Sequence, residues 1–317
     1  MVIQENSSSC ELKSDFCVIS CYYNPVNYKA RRSNFDLFIK GLEKTRVDYR
    51  IAECVFQNQS FTLPESSKIM RFRSNSVLWQ RERLINLVSK CLPKSVKFIA
   101  WIDCDLIFSN VNWLPNALKL LNKYPIVQLF SRCVRLPKGQ VRYSGEGKIS
   151  QSFGLVTKNN PKVLLLESQL KHGLTGGAWA MRREIIEYCG LYEYAITGGA
   201  DDYMAHAIFG DFDSSCVKSK MCHNPVLINH YNNWAKSFFE QIEGRMDFVS
   251  GDVLHLWHGD LKNRNYFNRH DELEKARFNP YRDIISLPGN PLEWSDSASI
   301  ELRNCLIKYF HNRKEDE

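Results

Sequence analysis

Two carboxylates one residue apart, Asp103 and Asp105, follow directly on the apolar run VKFIAWI at 96–102. Carboxylates at the end of an apolar strand need a partner, and an Asp-x-Asp pair can hold a divalent cation that neutralises a diphosphate. Ligands of open α/β sheets collect at that strand edge. The dipeptide spacing alone is also common among loop charges. A second set of donors, His255 and His258, ends the apolar stretch 252–257. On a regular strand, residues three apart face opposite sides. Both imidazoles reach one centre only if the chain turns at His258-Gly259, which Gly259 permits; otherwise one is a core histidine and the other a surface one.

A third pair of carboxylates, Asp201 and Asp202, follows Gly198-Gly199 at the start of an expected helix. Acids there can simply complement the helix N-terminus. They can also supply a general base, with the Gly-Gly turn letting a substrate approach the backbone. Gly176-Gly177-Ala178-Trp179 is a similar turn, whose Trp179 either stacks on a sugar face or fills the core. Trp79 and Arg81 open the helix expected over 77–92. Trp79 can stack on a base and Arg81 can hold a phosphate; the alternative is a surface helix laced with Arg–Glu pairs.

These groups need a scaffold, and the periodicity supplies one. Short apolar runs at 16–22, 49–56, 96–102, 126–130 and 252–257 read as strands. Helical spacing appears at 28–44, 77–92, 113–122, 183–189, 200–209 and 234–243. Residues 57–75 read as a loop, and 131–173 have no clear period. The alternation up to about residue 130 predicts a mostly parallel sheet flanked by helices in one α/β domain. That domain is expected over 16–310, after an N-terminal extension at 1–15 and before a solvated polar tail at 311–317.

Composition narrows the classes. The chain has 317 residues, with 18 Phe, 14 Tyr and 7 Trp, enough to exclude disorder as the main state. The net charge of +7 is spread without a dense block, so no nucleic-acid stripe is visible, and the surplus suits an anionic small ligand. No apolar run reaches the ~20 residues of a membrane span, the longest candidates being 98–102 and 163–166. The first residues lack the basic and apolar regions of a signal peptide, which points to a cytoplasmic protein. The 11 cysteines include no C-x-x-C pair and are expected to be reduced. The sequons at Asn6 and Asn58 then carry no sugar.

The order of these signals resembles nucleotide-sugar glycosyltransferases of the GT-A fold, a Rossmann-like α/β class. It is most similar to the catalytic domain of the β-1,4-galactosyltransferase family. WQRERLIN at 79–86 is similar to the family's Phe-Asn-Arg-Ala-Lys-Leu-Leu-Asn stretch, and IDCDLI at 102–107 to its Asp-Val-Asp-Leu-Ile metal motif. GGAWAM at 176–181, GGADD at 198–202 and HLWH at 255–258 are similar to its Gly-Gly-Val-Ser-Ala, Gly-Gly-Glu-Asp-Asp and Met-x-x-His segments. The likeness spans about residues 16–270. Ala200 stands where the family has Glu and Thr197 where it has Trp.

The resemblance implies a metal-dependent inverting transferase that moves a hexose or N-acetylhexosamine from a UDP-sugar to a glycan or other hydroxyl acceptor. Mn²⁺, or Mg²⁺ in its place, would be bound by Asp105 and His258, with His255 as a further ligand. Asp103 would reach the ribose, or the metal through water. Donor contacts would come from Arg31 or Arg32, Trp79, Arg81, Gly176, Gly177 and Trp179. Asp201 falls at the base position; Asp202, Gly198, Gly199 and Tyr194 fall on the acceptor side. Which of the two adjacent acids is the base stays open at this point. The departures at Ala200 and Thr197 keep a non-catalytic sugar-nucleotide or glycan binder in view, and the same ligands could serve a metal-dependent hydrolase.

Overall fold

The computed structural model describes residues 15–161, 172–264 and 269–317. The expected N-terminal extension, apart from Asp15, and the apolar stretch 163–166 lie outside the described residues.

Three consecutive parallel strands, β1 (Phe16–Tyr23), β2 (Asp48–Phe56) and β3 (Ile69–Ser74), form one half of a seven-stranded sheet. Helix α1 (Lys29–Thr45) connects the first two. The chain returns through α2 (Arg81–Lys90) to β4 (Phe98–Ile102), which lies parallel to β1 on its other side. β5 (Leu106–Phe108) leaves this sheet, and α3 (Trp113–Leu121) leads to β6 (Ile126–Gln128). β7 (Arg132–Arg135), β8 (Lys148–Gln151) and α4 (Phe153–Asn159) follow.

β9 (Ala178–Arg182) inserts antiparallel between β4 and β6. Helices α5 (Arg183–Cys189), α6 (Ala200–Ile208), α7 (Ser215–Lys220) and α8 (Pro225–Ile242) come next. β10 (Met246–Phe248) closes the sheet beside β6. β11 (Asp252–His255) joins β5, β7 and β8 in a second sheet of order β5-β11-β7-β8. The large sheet runs β10-β6-β9-β4-β1-β2-β3, so a mostly parallel sheet flanked by helices is what the chain forms.

The central strands are apolar throughout because both faces are covered. Cys17 and Ile19 of β1 pack with Ile99 and Trp101 in a core shared with α2, α5, α6 and α8. Phe16 and Val18 face the opposite core with Ala100, Ile102 and the α1 residues Phe35 and Phe38. The parallel pairing of β1 and β4 brings their C-terminal ends to one edge of the sheet, where Asp103 and Asp105 emerge. No helix among the described residues is long and apolar enough to cross a membrane. All ten cysteines of the described residues are free thiols.

Several expectations are corrected. The stretch 57–75 contains β3, whose outward Arg71 and Arg73 hide an edge strand behind polar residues. The patternless region 131–173 contains β7, β8 and α4. Helix α2 begins at Arg81, because Gln80 is buried in reciprocal hydrogen bonds with the backbone of Leu292. Nor is α2 a surface helix: Arg81, Glu82 and Arg83 are all buried. Helix α8 begins nine residues before the expected start at 234, at Pro225, behind an Asn224 cap.

The last residues are not a solvated tail. Arg313 is 4% exposed and Glu315 is fully buried. Asp316 accepts the backbone N–H groups of Lys29 and Ala30 at 2.9 and 2.8 Å and so caps α1, whose own N-cap Tyr28 makes no side-chain cap hydrogen bond. Asp316→Ala is therefore expected to cost ~1 kcal/mol in denaturant unfolding, while Glu317→Ala stays within ~0.5 kcal/mol of wild type. Equal midpoints for wild type and Asp316→Ala would remove the capping role.

Candidate active site

The sheet edge opens into a cleft of about 950 Å³. Asp103, Asp105, Arg81, Trp79, Arg31, Gly176, Gly177, Gly199, Asp201, Asp202, His255 and His258 all line it. The two Asp-x-Asp carboxylates part company at the turn after β4. Asp105 faces the histidines: its Oδ2 lies 3.0 Å from His258 Nε2 and its Oδ1 3.9 Å from His255 Nε2. The two Nε2 atoms are 3.4 Å apart. The chain does turn here: β11 ends at His255, and Gly259 adopts φ +90°. A side chain at Gly259 would meet the backbone oxygen of Arg313 at 2.6 Å, so the glycine also admits the C-terminus.

This trio suits a divalent cation. Asp105, His255 and His258 each point one donor atom into the same 4.8 Å space. Asp105 Oδ1 is buried and accepts no hydrogen bond among the described residues. Burial pushes His255 down to about 3, which keeps its imidazole neutral and able to ligate. Burial opposes the charge on Asp105, but the adjacent His258 outweighs it and holds the carboxyl well below its usual range. Behind the site, His258 Nδ1 lies 3.5 Å from Glu315. A carboxylate on the far nitrogen fixes which nitrogen is left to ligate. Glu315 also accepts from Arg31 Nε and Arg313 Nε, each at 2.5 Å.

Asp103 turns instead toward Arg81, whose Nε is 3.0 Å away. The same guanidinium donates to both oxygens of Asp201 at 2.7 and 3.0 Å, and to Glu82 at 3.0 Å. Three carboxylates thus share one buried cation. Burial pushes Asp103 and Glu82 up to about 7 against the pull of Arg81. Gly176 leaves room for this cluster: a Cβ there would stand 3.1 Å from Asp201 Oδ2.

Asp202, next in the chain, is held separately. Thr175 Oγ1 donates to it at 2.5 Å, and buried Lys220 of α7 forms an ion pair with it. Gly199 precedes both acids with φ +95°, and a Cβ there would strike Arg269 at 2.8 Å.

Four expected contact residues are not on the cleft lining. Trp179 is fully buried in β9, where its Nε1 donates to Thr175 O, because an inward position on a strand covered on both faces is core. Tyr194 packs in an aromatic cluster, 4.4 Å from the ring of His230. Arg32 points away and pairs with Asp36 and Thr62 O, since it sits one position round α1 from Arg31. Gly198 packs against Trp79 and Arg269. Thr197 is buried against His270 Nδ1 at 2.9 Å, and Ala200 lies in the core. Trp79 lines the cleft but already stacks on Phe310, with centroids 6.3 Å apart and planes at 13°.

Some lining groups were missed. Arg135, Lys148 and Lys262 come from segments with no motif of their own. Only the proximity of Lys262 to His258 in the sequence could have suggested one of them.

No protein-family model matches the chain, and no curated protein matches it by sequence. Solved structures do. The chain is similar to the catalytic domain of Drosophila β1,4-galactosyltransferase 7 with xylobiose, at 16% identity and a TM-score of 0.31 over 60% of this chain and 58% of that one. A second structure of the Drosophila protein, with manganese, UDP-Gal and xylobiose, is 14% identical at a TM-score of 0.30 over 60% and 59%. Mannosyl-3-phosphoglycerate synthase from Rubrobacter xylanophilus is 12% identical at a TM-score of 0.40 over 88% and 83%. The chain spans less than two thirds of the Drosophila structures. By both measures the likeness is low.

The Asp202 pair makes a prediction about stability. Burial works against its charge, yet Lys220 and the hydrogen bonds from Lys220 and Thr175 hold it down to about 2. The folded value lies below the unfolded one of ~3.9, so this contribution is complete above pH ~4 and is lost as pH falls toward 2. Asp202→Asn leaves Lys220 buried without its counter-ion and should cost on the order of 1–3 kcal/mol at pH 7. The gap to wild type should narrow between pH ~4 and ~2. A thermal-unfolding series with no difference at pH 7 would contradict this.

Proposed function

We propose that the protein is a metal-dependent, inverting glycosyltransferase. It takes a hexose or N-acetylhexosamine from a UDP-sugar and passes it to a hydroxyl of a glycan or other acceptor. The observation that carries this reading is the shared cleft. Asp105, His255 and His258 converge there around a carboxylate oxygen that has no donor among the described residues, and Asp201 lines the same space. When bound, a divalent cation such as Mn²⁺ or Mg²⁺ would serve as a Lewis acid for the departing diphosphate.

The chain's own residues supply the rest. Glu315 orients His258 from behind, and burial keeps His255 neutral. Asp201 is the base that takes the acceptor hydroxyl proton. The forked grip of Arg81 fixes its plane, and each of its oxygens keeps a second lone pair for the incoming hydroxyl. Gly176 opens the approach on that side. Arg81 is spent on carboxylates, so we assign it the positioning of Asp201 and Asp103 rather than a grip on the donor phosphates. Asp202 is engaged by Lys220 and Thr175 and shapes the wall on the acceptor side. Arg31, tied to Glu315, and Trp79, tied to Phe310, support the donor end.

A non-catalytic binder is the competing reading, since Asp201 and Asp202 both already have cationic partners. UDP release from a panel of UDP-sugars, with Mn²⁺ and with or without sugar acceptors, separates the two. Transfer requires release that rises with an acceptor. No release under any condition would favour the binder, and acceptor-independent release a hydrolase.

Within an active protein, Asp201→Asn should lower transfer by ~10²–10⁴-fold while UDP and Mn²⁺ binding stay near wild type. Loss of donor binding along with activity would assign Asp201 to the architecture of the site. Glu315→Gln should weaken Mn²⁺ binding by ~10–100-fold, read by metal titration without substrate. An unchanged titration would make Glu315 a partner of Arg31 alone.

A further inference from the structure

Behind the cleft wall lies a second cluster of metal-type donors. His172 precedes the Gly173–Gly177 segment, His206 lies on α6 and Cys216 on α7. All three are buried, at 2, 1 and 4% exposure. One donor atom from each lies within 4.8 Å of the others. The two imidazole rings are 5.0 Å apart, centroid to centroid, and cross at 78°. Two imidazoles bound through nitrogen to one tetrahedral ion at ~2.0–2.1 Å place their centroids about 5 Å apart.

We propose that His172, His206 and Cys216 form a zinc site, separate from the cation site at Asp105.

Three observations support it. His206 Nδ1 pairs with Asp211 Oδ2 at 2.8 Å, the carboxylate–imidazole arrangement that presents the other nitrogen to a metal. That other nitrogen, Nε2, is buried and makes no hydrogen bond among the described residues. The donor set is also unlike the one in the cleft. Two imidazoles and a thiolate suit zinc, whereas the Asp105 site includes a carboxylate and suits harder ions as well. When zinc is bound, the Cys216 thiol would give up its proton to solvent and serve as the thiolate ligand.

The placement gives the ion a structural task. Thr175 comes three residues after His172, Asp202 four before His206, and Lys220 four after Cys216. Thr175 and Lys220 are the two partners of Asp202. One ion would therefore pin the backs of three segments whose fronts meet at the cleft wall. The consequence for acceptor binding rests on the transferase reading; zinc binding itself does not.

The test uses the full chain without any substrate. The metal-stripped protein is titrated with Co²⁺ and Zn²⁺, and bound metal is counted after gel filtration. We expect ~1 zinc per chain at this site, a thiolate-to-cobalt charge-transfer band, and a rise in melting temperature with zinc. Cys216→Ser should abolish the band, and Asp105→Asn should keep it. Absence of a thiolate band in the wild-type cobalt protein would overturn the site whatever the variants do. So would a band that Asp105→Asn removes and Cys216→Ser retains. Because UDP release plays no part, failure here leaves the transferase reading untouched.

Discussion

One buried guanidinium, that of Arg81, stands against three carboxylates from three parts of the chain. Glu82 is its neighbour on α2, Asp103 follows β4, and Asp201 opens α6. Removing one member of a buried ion cluster typically costs ~3–5 kcal/mol, because the remaining charges lose their compensation. The cluster fastens the end of a central strand to the helix bearing the adjacent acids. It also explains why α2, rich in charge, is buried along almost its whole length. Arg83 repeats the pattern with Glu193 and the carbonyl oxygens of Leu287 and Asn290.

A second hub works from the opposite end of the chain. Glu315 collects Arg31, Arg313 and His258, joining the first helix, the C-terminus and the turn after β11. Its position is possible because Gly259 lacks a side chain and because the C-terminal helix Ile300–Asn312 delivers the last residues onto α1. One candidate cation ligand, His258, is thereby held by a residue more than fifty positions away in the sequence. The cleft thus has two electrostatic anchors: Arg81 organises the carboxylates and Glu315 the imidazole. Asp103 and Asp105, one residue apart, are divided between them.

That division shows how a short motif is resolved by its surroundings. Asp-x-Asp implies two side chains with a common purpose. Here the turn after β4 sends one carboxylate to Arg81 and the other to His258. The adjacent acids Asp201 and Asp202 diverge likewise, one toward Arg81 and the other toward Lys220 and Thr175. In both pairs the partner within reach decides the direction.

The sequence by itself determined the central strands and the polar side chains at their ends. Short apolar runs such as 16–22 and 96–102 read as strands buried on both faces, and strand ends in such sheets are where polar groups gather. Asp103, Asp105, Asp201, His255 and His258 could be picked out on those grounds, because their polarity conflicts with their apolar flanks or recurs in a known order. What depended on distant packing was not legible. The buried state of Arg81 and Arg83 required partners over a hundred residues away. Trp179 is core and Tyr194 packs against it, and neither outcome was visible because an aromatic side chain carries no local signal of what will cover it. The polar C-terminus looked solvated because charge pairing depends on where the partner lies. Only the tertiary structure could bring Glu315 behind His258, or His172, His206 and Cys216 into one buried space, since no regular spacing in the chain connects them.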